Sequence, residues 1–501
     1  MPAHGRLPAL GEAPPRTKRA IARAQSRALL HGPFAGGLVR GISDGALMLE
    51  DPATVRQRGL ALAAAAGADI VRIPVDWEDI AAASVAASDA TNPANPGYHF
   101  SLVDAAVRDT VRAVLTPLLV VSHAPKFAEA AGRWRYAYAG SWAPRPAALA
   151  AFATALARRY DGAFPDPLQP ARALPRVSLL QAWNEPNLAR YLEPQWVASG
   201  GRWEPFSPVL YRQMLNAFYA AVKAVSPADR VIAAGLAPNG DRAGAGRMAP
   251  VTFLQSLLCL HSAPSTAGCP QTTDFDVLAI HPLSVGNPDL AAASSKDVSL
   301  SDLAKVRQLL DQAVRARTVG PAGPKPLWVT EINWESNPPS RSGVPARLQA
   351  HWLSRGLHRL WIAGVSAVIW QFLSDPVGLK LGTPTGGQIP ESRPAGLYTA
   401  GSVAGPLRPK PFLSGFALPF DPLRYNGRLV RVWALLSRPR MAARLQVQRG
   451  RAWKTVATLA ANRFAVVNAL VALTGRAELR LVTRSATSAA WTIGAEPAAL
   501  D

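Results

Sequence analysis

Short apolar runs alternate with long Ala-rich stretches over most of the chain. Runs of this length, rich in β-branched residues and leucine, predict strands, and the stretches between them predict helices. The predicted strands are Gly37–Ile42, Ala68–Val75, Leu115–His123, Val177–Trp183, Arg230–Leu236, Phe275–His281, Leu327–Ile332 and Val365–Phe372. The predicted helices include Thr54–Ala66, Leu102–Val114, Ala147–Tyr160, Pro208–Val225, Val251–Leu260, Ser301–Ala316 and Ala346–Ala363. Strands that alternate with helices form parallel sheets, and eight strands over about 380 residues predict an α/β fold of the (β/α)8 TIM-barrel type.

The predicted strands share a feature at their carboxyl ends. Nearly every one ends on a polar, charged or aromatic residue, and these residues are Asp44, Arg72 with Asp76, His123, Asn184 with Glu185, Asn239, His281, Glu331 and Trp370. In a TIM barrel the carboxyl ends of all eight strands meet at one mouth, where the chemistry lies. In an open doubly wound sheet they would spread along an edge, so the pattern favours the closed barrel.

The pattern changes after about Phe420. The segments RLVRVWALL, ARLQVQRG, WKTVATLA and AELRLVT alternate apolar and polar residues, with turn residues between them and no long helix. Such short alternating runs predict a small C-terminal all-β sandwich. We therefore divide the chain into a basic N-terminal tail over 1–33, a TIM-barrel domain over 34–418 and a β-sandwich domain over 419–501.

Two of the strand ends deliver a glutamate. In VSLLQAWNEPN (177–187) an apolar strand runs into Asn184 and Glu185, and in KPLWVTEINW (325–334) another runs into Glu331. A carboxyl group directly after a buried strand is partly desolvated, which favours its protonated form and suits a general acid. Two carboxylates at one barrel mouth are what glycoside cleavage through a covalent intermediate requires. A loop glutamate placed there by chance is the alternative for Glu185, and the specific W-N-E-P-N string argues against it.

The motifs WNEPN and WVTEINW resemble those of glycoside hydrolase clan A, in particular families five and thirty-nine and cellulase-like actinobacterial relatives. The match in element order covers about residues 34–418. The resemblance implies a retaining glycosidase that cleaves O-glycosidic bonds, β-linked ones by analogy, through double displacement. It implies that Glu185 is the acid/base at the end of strand four and that Glu331 is the nucleophile at the end of strand seven. It also implies substrate-binding roles for Arg72, His123, Asn184, His281 and Trp370.

Elementary chemistry supports these implied roles. Arg72 beside Glu331 would hold that carboxylate ionised as a nucleophile. Asn184 can bond a sugar 2-hydroxyl, a contact that strengthens as the oxocarbenium-like state forms. Trp370 offers an apolar face to the C–H side of a sugar ring. The resemblance further implies a non-proline cis peptide between Trp370 and Gln371.

Two histidines and one missing tyrosine leave alternatives open. His281 and His123 either orient carboxylates or sugar hydroxyls, or are structural histidines with satisfied hydrogen bonds. In family five a tyrosine two residues after the strand-six histidine bonds the nucleophile, and here that position is Leu283. Either another residue supplies this contact, or the site belongs to a different branch of the clan.

Two other functions fit parts of the sequence. The segment GISDG (41–45) matches the G-x-S-x-G pattern of serine hydrolases, but a nucleophile elbow leads straight into a helix and Pro52 soon interrupts. A catalytically inactive barrel that binds carbohydrate is the non-enzyme alternative, and the presence of both glutamates argues against it. No H-E-x-x-H, EF-hand or paired C-x-x-C pattern occurs, so we expect neither a metal nor another cofactor.

The chain carries 54 Lys and Arg against 33 Asp and Glu, a formal net charge of +21. Basic proteins bind nucleic acid, anionic membranes or acidic polymers. Here the arginines are scattered, with one dense cluster at Arg16–Arg27, and no zinc-finger, RNP-type or basic-zipper pattern appears. No apolar run is long enough to span a bilayer. We therefore expect no nucleic-acid partner and no membrane span. The resemblance implies an oligo- or polysaccharide substrate, and we expect a monomer.

The two cysteines, Cys259 and Cys269, lie in LLCLHSAPSTAGCP. The short segment between them contains Pro and Gly, which favours a disulfide over two unrelated thiols. A disulfide indicates an exported protein, although residues 1–33 lack the uninterrupted apolar stretch of a signal peptide. We therefore expect an extracellular or cell-surface location.

Overall fold

The structure of the chain is a computed structural model, and it describes residues 36–494 except 51, 83–84, 86–88, 261–268, 270–271, 285, 377–392 and 400–406. The basic tail predicted over 1–33 lies outside the described residues. Two regular units make up the described part, an eight-stranded barrel surrounded by helices and a C-terminal pair of small antiparallel sheets.

Eight parallel strands close into the barrel. They are β1 (Val39–Ser43), β2 (Ile70–Asp76), β3 (Thr116–Ser122), β4 (Leu179–Ala182), β5 (Arg230–Leu236), β6 (Val277–Ile280), β7 (Leu327–Ile332) and β8 (Val365–Gln371). Each strand pairs with its neighbours in sequence, and β1 closes the barrel against β8. Every strand lies within one of the predicted runs or overlaps it closely, and the predicted TIM barrel is confirmed.

The α-helices of the described residues are α1 (Gly45–Leu49), α2 (Ala53–Ala65), α3 (Trp77–Ile80), α4 (Ser101–Arg112), α5 (Pro146–Arg159), α6 (Ser207–Val225), α7 (Pro250–Leu257), α8 (Leu303–Ala316), α9 (Ala346–Ile362) and α10 (Pro411–Ala417). Short 3-10 turns cover Lys126–Ala128 and Leu300–Asp302. Four two-stranded ribbons decorate the barrel, at Pro165–Asp166 with Gln169–Ala173, Trp196–Ser199 with Arg202–Pro205, Thr273–Asp274 with Val319–Gly320, and Ser336–Asn337 with Val344–Pro345.

Alternation along the strands fills the barrel interior with apolar side chains. One cluster consists of buried strand residues alone, including Ile70, Leu118, Ala279 and Trp328. Successive side chains of a strand point to opposite faces, so this set occupies one face of every strand. The interior of a TIM barrel is therefore a packed core rather than a pore. The opposite face packs on the helices in a much larger cluster.

The C-terminal unit is all-β, as predicted. Its strands are β9 (Phe420–Asn426), β10 (Leu429–Leu435), β11 (Ala442–Arg449), β12 (Ala452–Ala460), β13 (Val466–Ala472), β14 (Ala477–Val482) and β15 (Trp491–Ile493). They form a three-stranded sheet, β9-β10-β13, and a four-stranded sheet, β12-β11-β14-β15, with antiparallel pairing. Alternate residues of both sheets share a separate apolar core.

A buried ion cluster joins the two units. Asp421 on β9 is fully buried. It accepts a hydrogen bond from Arg355 Nε at 3.1 Å and lies 2.6 Å from Nδ1 of His358, both on α9. The imidazole of His358 stacks on Trp433 with ring centroids 4.7 Å apart. A buried carboxylate needs such partners, because an unpaired charge in the interior is very costly.

Cys259 and Cys269 form a disulfide with a Cα–Cα separation of 6.1 Å, as the sequence predicted. Cys259 lies just after α7, and Nη1 of Arg212 on α6 is 2.9 Å from its sulfur. Among the described helices, none combines the length and apolar character needed to cross a membrane.

Candidate active site

The barrel mouth brings Glu185 and Glu331 together. One carboxylate oxygen of each lies within 4.8 Å of the other and of a ring nitrogen of His281. The two side chains are 13% and 11% exposed, so both are largely withdrawn from water yet still reachable. The three groups come from the carboxyl ends of three different strands, which is where TIM barrels place their chemistry.

Glu331 lies within β7 at a point where the strand departs from regular register. The pairing of β7 with β8 shifts between Val329 and Ile332. A bulge of this kind re-aims a side chain that would otherwise follow strict alternation. Oε1 of Glu331 is 2.8 Å from Nη1 of Arg72, a buried guanidinium on β2. This ion pair holds one oxygen of the Glu331 carboxylate at the mouth.

Arg72 also fixes the amide of Asn184. Nη2 of Arg72 donates to Oδ1 of Asn184 at 2.7 Å, and Nη1 donates to Oγ of Ser43 at 3.5 Å. With its oxygen engaged, Asn184 turns its NH2 group away from the arginine as a donor. None of the described residues accepts a hydrogen bond from that NH2 group. The hydroxyl of Ser43 thus accepts a hydrogen bond from Arg72. This contact argues against the nucleophilic serine that the GISDG segment suggested.

Glu185 sits on backbone of unusual conformation. Trp183 and Glu185 have φ of +72° and +41°, in the left-handed region. Such residues cost about 1–3 kcal/mol each and persist only where surrounding contacts hold them. Here the N–H of Glu185 donates to the carbonyl of Gly235 at 3.2 Å, and Nε1 of Trp183 donates to the carbonyl of Tyr191 at 2.8 Å. The turn aims the Glu185 carboxylate at Glu331.

The side chain of Asn187 clamps the same turn to the next loop. Its Nδ2 donates to the carbonyls of Ala237 and Met248, at 3.0 and 2.9 Å, and its Oδ1 accepts from the N–H of Ala237 at 2.9 Å. The last residue of the W-N-E-P-N string is therefore structural, whereas Asn184 and Glu185 face the mouth.

His281 lies between the two carboxylates. Its Nδ1 is 2.9 Å from Oε1 of Glu185 and 3.8 Å from Oε2 of Glu331, and its Nε2 is 3.0 Å from Oγ1 of Thr330. A threonine hydroxyl can donate to Nε2, which leaves the proton of a neutral imidazole on Nδ1 to be donated to Glu185. Both ring nitrogens of His281 therefore have partners, and one of these partners is Glu185.

His123 lies apart from both glutamates. Its Nδ1 is 2.7 Å from Oδ2 of Asp76, and its ring packs on Tyr191 with centroids 5.1 Å apart. Burial, followed by the charges of Glu185 and Glu331, raises the pKa of Tyr191. Tyr191 thus belongs to the electrostatic environment of the site, although it follows no strand and no sequence pattern singled it out.

Trp370 departs from the expected sugar platform. It is the penultimate residue of β8, but it is only 1% exposed, and its ring packs between Trp334 and Phe412 with centroid distances of 6.1 and 5.1 Å. Its Nε1 donates to the carbonyl of Ala395 at 3.0 Å. The indole therefore presents no open face to a sugar, because neighbouring aromatic rings and this loop already cover it.

The backbone after Trp370 differs from the expectation as well. The non-proline cis peptide joins Gln371 to Phe372, one bond later than predicted, and the Trp370–Gln371 bond is not cis. Oε1 of Gln371 accepts a hydrogen bond from Asn333 Nδ2 at 2.9 Å, which ties β8 to the loop that follows β7.

Glu185, His281 and Glu331 are the described residues whose ligand atoms converge closely enough to hold a metal ion. The guanidinium of Arg72 already forms an ion pair with Glu331. A divalent cation there would lie against this positive charge, and like charges in a buried site are unfavourable. The arrangement suits proton transfer and nucleophilic attack by carboxylates better than metal chemistry.

Comparison with known proteins identifies a shared fold. The sequence matches no protein-family model and no curated protein. Among solved structures, a family 39 glycoside hydrolase from the gut symbiont Bacteroides cellulosilyticus WH2 has a TM-score of 0.50 at 16% identity, over 87% of this chain and 81% of that chain. A glucosidase from Croceicoccus marinus has a TM-score of 0.47 at 14% identity, over 86% and 82%. At 16% identity the first likeness shows that this chain shares the overall fold of that family 39 glycoside hydrolase.

Proposed function

We propose that this chain is a glycoside hydrolase that cleaves O-glycosidic bonds with retention of anomeric configuration. The observation that carries the proposal is the distance between the two glutamates, whose nearest carboxylate oxygens lie within 4.8 Å. Retaining enzymes hold their carboxyl groups about 5–5.5 Å apart, whereas inverting enzymes leave roughly 6.5–9.5 Å for a water. The sequence motifs and the shared fold support the same activity, by analogy for a β-linked substrate.

The first step makes a covalent intermediate. Glu331 attacks the anomeric carbon while the bond from that carbon to the leaving oxygen breaks, and Glu185 gives its proton to that oxygen. In the second step Glu185, now ionised, takes a proton from water as the water oxygen attacks the anomeric carbon. The bond to Glu331 breaks, which restores both carboxyl groups and releases a sugar of the original configuration.

The surrounding side chains support these steps. Arg72 forms an ion pair with Glu331 and so holds the carboxylate that acts as the nucleophile. The free NH2 group of Asn184 can donate to the sugar 2-hydroxyl, a contact that strengthens in the transition state. His281 donates to Glu185 in its ionised state, which is the state that activates water in the second step.

The main alternative is an inactive barrel that binds carbohydrate. It does not explain why a buried arginine and a buried histidine each contact one of two closely spaced carboxylates, because a binding site needs no such poised pair. The disulfide Cys259–Cys269 is of the kind that persists in oxidising compartments, so we further propose an extracellular or cell-surface location.

Aryl glycosides test the proposal. In Glu185→Ala, hydrolysis should fall most with leaving groups that need protonation, and least with dinitrophenyl glycosides, whose phenolate leaves without a proton. Azide should rescue Glu185→Ala and give a glycosyl azide of retained anomeric configuration, because azide takes the place of the activated water. Azide should also rescue Glu331→Ala, but with inverted anomeric configuration, because there it takes the place of the nucleophile. Glu478→Ala, in the C-terminal unit, is the matched control and should keep full activity.

Two results would overturn the assignment. One is wild-type release of the inverted anomer, observed by NMR at early times. The other is full activity of both Glu185→Ala and Glu331→Ala on a substrate that the wild-type chain hydrolyses.

A further inference from the structure

Exposed aromatic side chains concentrate at one end of the barrel. In the described part of the chain, the strongly exposed aromatic residues are Trp134, Tyr136, Tyr138, Trp203 and Tyr425, each between 51% and 61% exposed. The first four lie in the loops that follow β3 and β4, at the mouth that holds the two glutamates. Large exposed aromatic rings are costly in water, and a concentration of them marks a binding surface.

The loop after β3 packs back against the residues that directly follow that strand, at the barrel mouth. The carbonyl of Gly140 accepts the N–H of Ala124 at 2.9 Å, and a Cβ on Gly140 would lie 2.7 Å from the Cα of His123. The same loop bonds to the loop after β4, where the N–H of Ala143 donates to the carbonyl of Glu193 at 2.7 Å. The aromatic residues at its tip therefore hold a set position beside the mouth.

The tip of this loop, residues 133–138, is also ordered internally. Nη2 of Arg133 donates to the carbonyl of Ala137 at 2.7 Å, and the N–H of Ala137 donates to the carbonyl of Trp134 at 3.0 Å. The rings of Trp134 and Tyr136 meet edge to face with centroids 5.3 Å apart. A surface that is already arranged loses little conformational entropy when a ligand binds.

Positive charge accompanies these rings. The guanidinium of Arg135 lies over the ring of Tyr136, 4.4 Å from its centroid, and none of the described carboxylates pairs with it. The single acidic residue of segment 124–145 is Glu129, which is buried and paired with Arg133 at 3.0 Å. The tip thus offers a planar cation that lies over the ring of Tyr136 and donates a hydrogen bond from Nη2 to the Tyr136 hydroxyl, without a carboxylate partner among the described residues. The chain as a whole has a net charge of +21.

We propose that Trp134, Tyr136 and Tyr138, together with Arg135, bind a carboxylate-bearing polysaccharide chain beyond the bond that is cleaved. Aromatic faces take the C–H sides of successive sugar rings. The forked donors of an arginine match a uronic-acid carboxylate bidentately, which a neutral sugar cannot exploit. The inference rests on the proposed function for the identity of the polymer, and it names an acidic polysaccharide as the substrate class.

Binding to a protein that cannot consume the polymer tests this surface separately from catalysis. Full-length Glu185→Gln is titrated calorimetrically with polygalacturonate, alginate and glucuronoxylan, and with the carboxyl-reduced form of each. We expect at least one acidic polymer to bind, and its reduced form to bind several-fold more weakly. Adding Trp134→Ala should weaken binding of the acidic form about tenfold, as for a central aromatic anchor. Adding Arg135→Gln should abolish the difference between acidic and reduced polymer.

Matched controls come from the C-terminal unit. Tyr425 is equally exposed and lies under Arg431, 5.4 Å from ring centroid to guanidinium, so Tyr425→Ala removes the same kind of pair elsewhere. Arg451→Gln removes one exposed charge at a distance from the mouth. Both should bind the polymer like the parent protein, which separates a local site from the general attraction of a basic chain for polyanions.

Several results would overturn the inference. They are no binding to any acidic polymer, equal binding of acidic and reduced forms, or equal weakening by the control variants. Tighter binding of a single-stranded oligonucleotide, lost in Trp134→Ala, would assign the surface to nucleic acid instead. If the wild-type chain hydrolyses no aryl glycoside, the proposed enzymatic activity is refuted, but the binding results at this surface still stand.

Discussion

Gly235 on β5 provides a sharp test of how the site is held. Its φ is +73°, and a Cβ built on it would lie 2.8 Å from Nε2 of His281 and 2.7 Å from Nε2 of Gln181. Its carbonyl accepts the N–H of Glu185. Gly235→Ala therefore presses on the imidazole that contacts Glu185, without replacing any side chain of the site itself.

The expected magnitude has two parts. A side chain in the left-handed region costs about 1–2 kcal/mol in stability. The clash adds a similar amount, because the close-packed interior lets the imidazole move only by forcing its neighbours. Displacement of His281 by about half an ångström misaims Glu185, and a shift of ~1 Å in reacting geometry can cost about 100-fold. We therefore expect a loss of about 2–4 kcal/mol in unfolding free energy and a tenfold to 100-fold loss in kcat/KM on aryl glycosides.

Gly450 is the matched control. It has φ of +60° in the exposed turn between β11 and β12, and a Cβ there would meet nothing within 4 Å. Gly450→Ala should lose only the backbone part of the stability, about 1–2 kcal/mol, and keep full activity. Urea denaturation and kcat/KM are measured for both variants. If Gly235→Ala is no less stable than Gly450→Ala and equally active, then contact with His281 does not control the site.

The remaining predictions concern charges and the disulfide. Arg72→Met should lower kcat/KM about tenfold to 100-fold, as expected for loss of charged hydrogen bonds, and Arg72→Lys should recover part of it; equal losses would mean that the charge is irrelevant. Asp421→Asn should lower the unfolding free energy by about 3–5 kcal/mol in urea without changing KM, whereas a loss below 1 kcal/mol would contradict burial of the pair. Burial lowers the pKa of His358, so the stability that the neutral imidazole contributes is present above the ordinary histidine value near 6.5 and is lost as pH falls. The unfolding free energy should therefore decline less between pH 8 and pH 5 in His358→Gln than in the wild type. An equal decline in both proteins would count against this reasoning. Reducing Cys259–Cys269 should cost about 2–3 kcal/mol in stability, measured by thermal unfolding with and without reductant. Cys259 lies between α7 and β6 and therefore away from the carboxyl ends of the strands, so a fall in activity at 25 °C would contradict this reasoning.

The sequence predicted the architecture well because each barrel strand is a short apolar run bounded by polar residues. Those runs are buried on both faces, so their composition alone identified them. The position of Glu185 and Glu331 at the mouth followed from the same logic, since parallel strands that alternate with helices deliver their carboxyl ends to one place. Arg72 on β2 and Glu331 on β7 form an ion pair at this mouth.

Other features depend on contacts that no local pattern encodes. Trp370 ends its strand as predicted, but Trp334, Phe412 and the carbonyl of Ala395 come from distant segments and cover it. Tyr191 reaches the site through the left-handed turn around Glu185, a conformation that sequence periodicity does not report. Packing between distant segments therefore covers Trp370, and a local turn brings Tyr191 into the electrostatic environment of the carboxylates.

The apolar core of the barrel explains why Arg72, His281 and Thr330 need partners within the protein. Ile70, Ala279 and Trp328 belong to the apolar core, and two residues further along the same strands stand Arg72, His281 and Thr330. Side chains two residues apart share a strand face, so these polar groups lie at the bottom of the mouth, directly above the apolar core. Buried polar groups there need partners within the protein. Arg72 pairs with Glu331 and His281 contacts Thr330, while Nε of Arg72 has no hydrogen-bond partner among the described residues.

Glu331 does not share that parity, because it follows Thr330 by one residue and would face the helices in a regular strand. The register shift in β7 turns it toward the mouth, where Arg72 pairs with it. The register shift in β7 therefore brings the Glu331 carboxylate to the mouth, opposite the carboxylate of Glu185. A structure of this chain with β7 in unbroken register would place the Glu331 carboxylate among the helices, and the proposed chemistry could not occur.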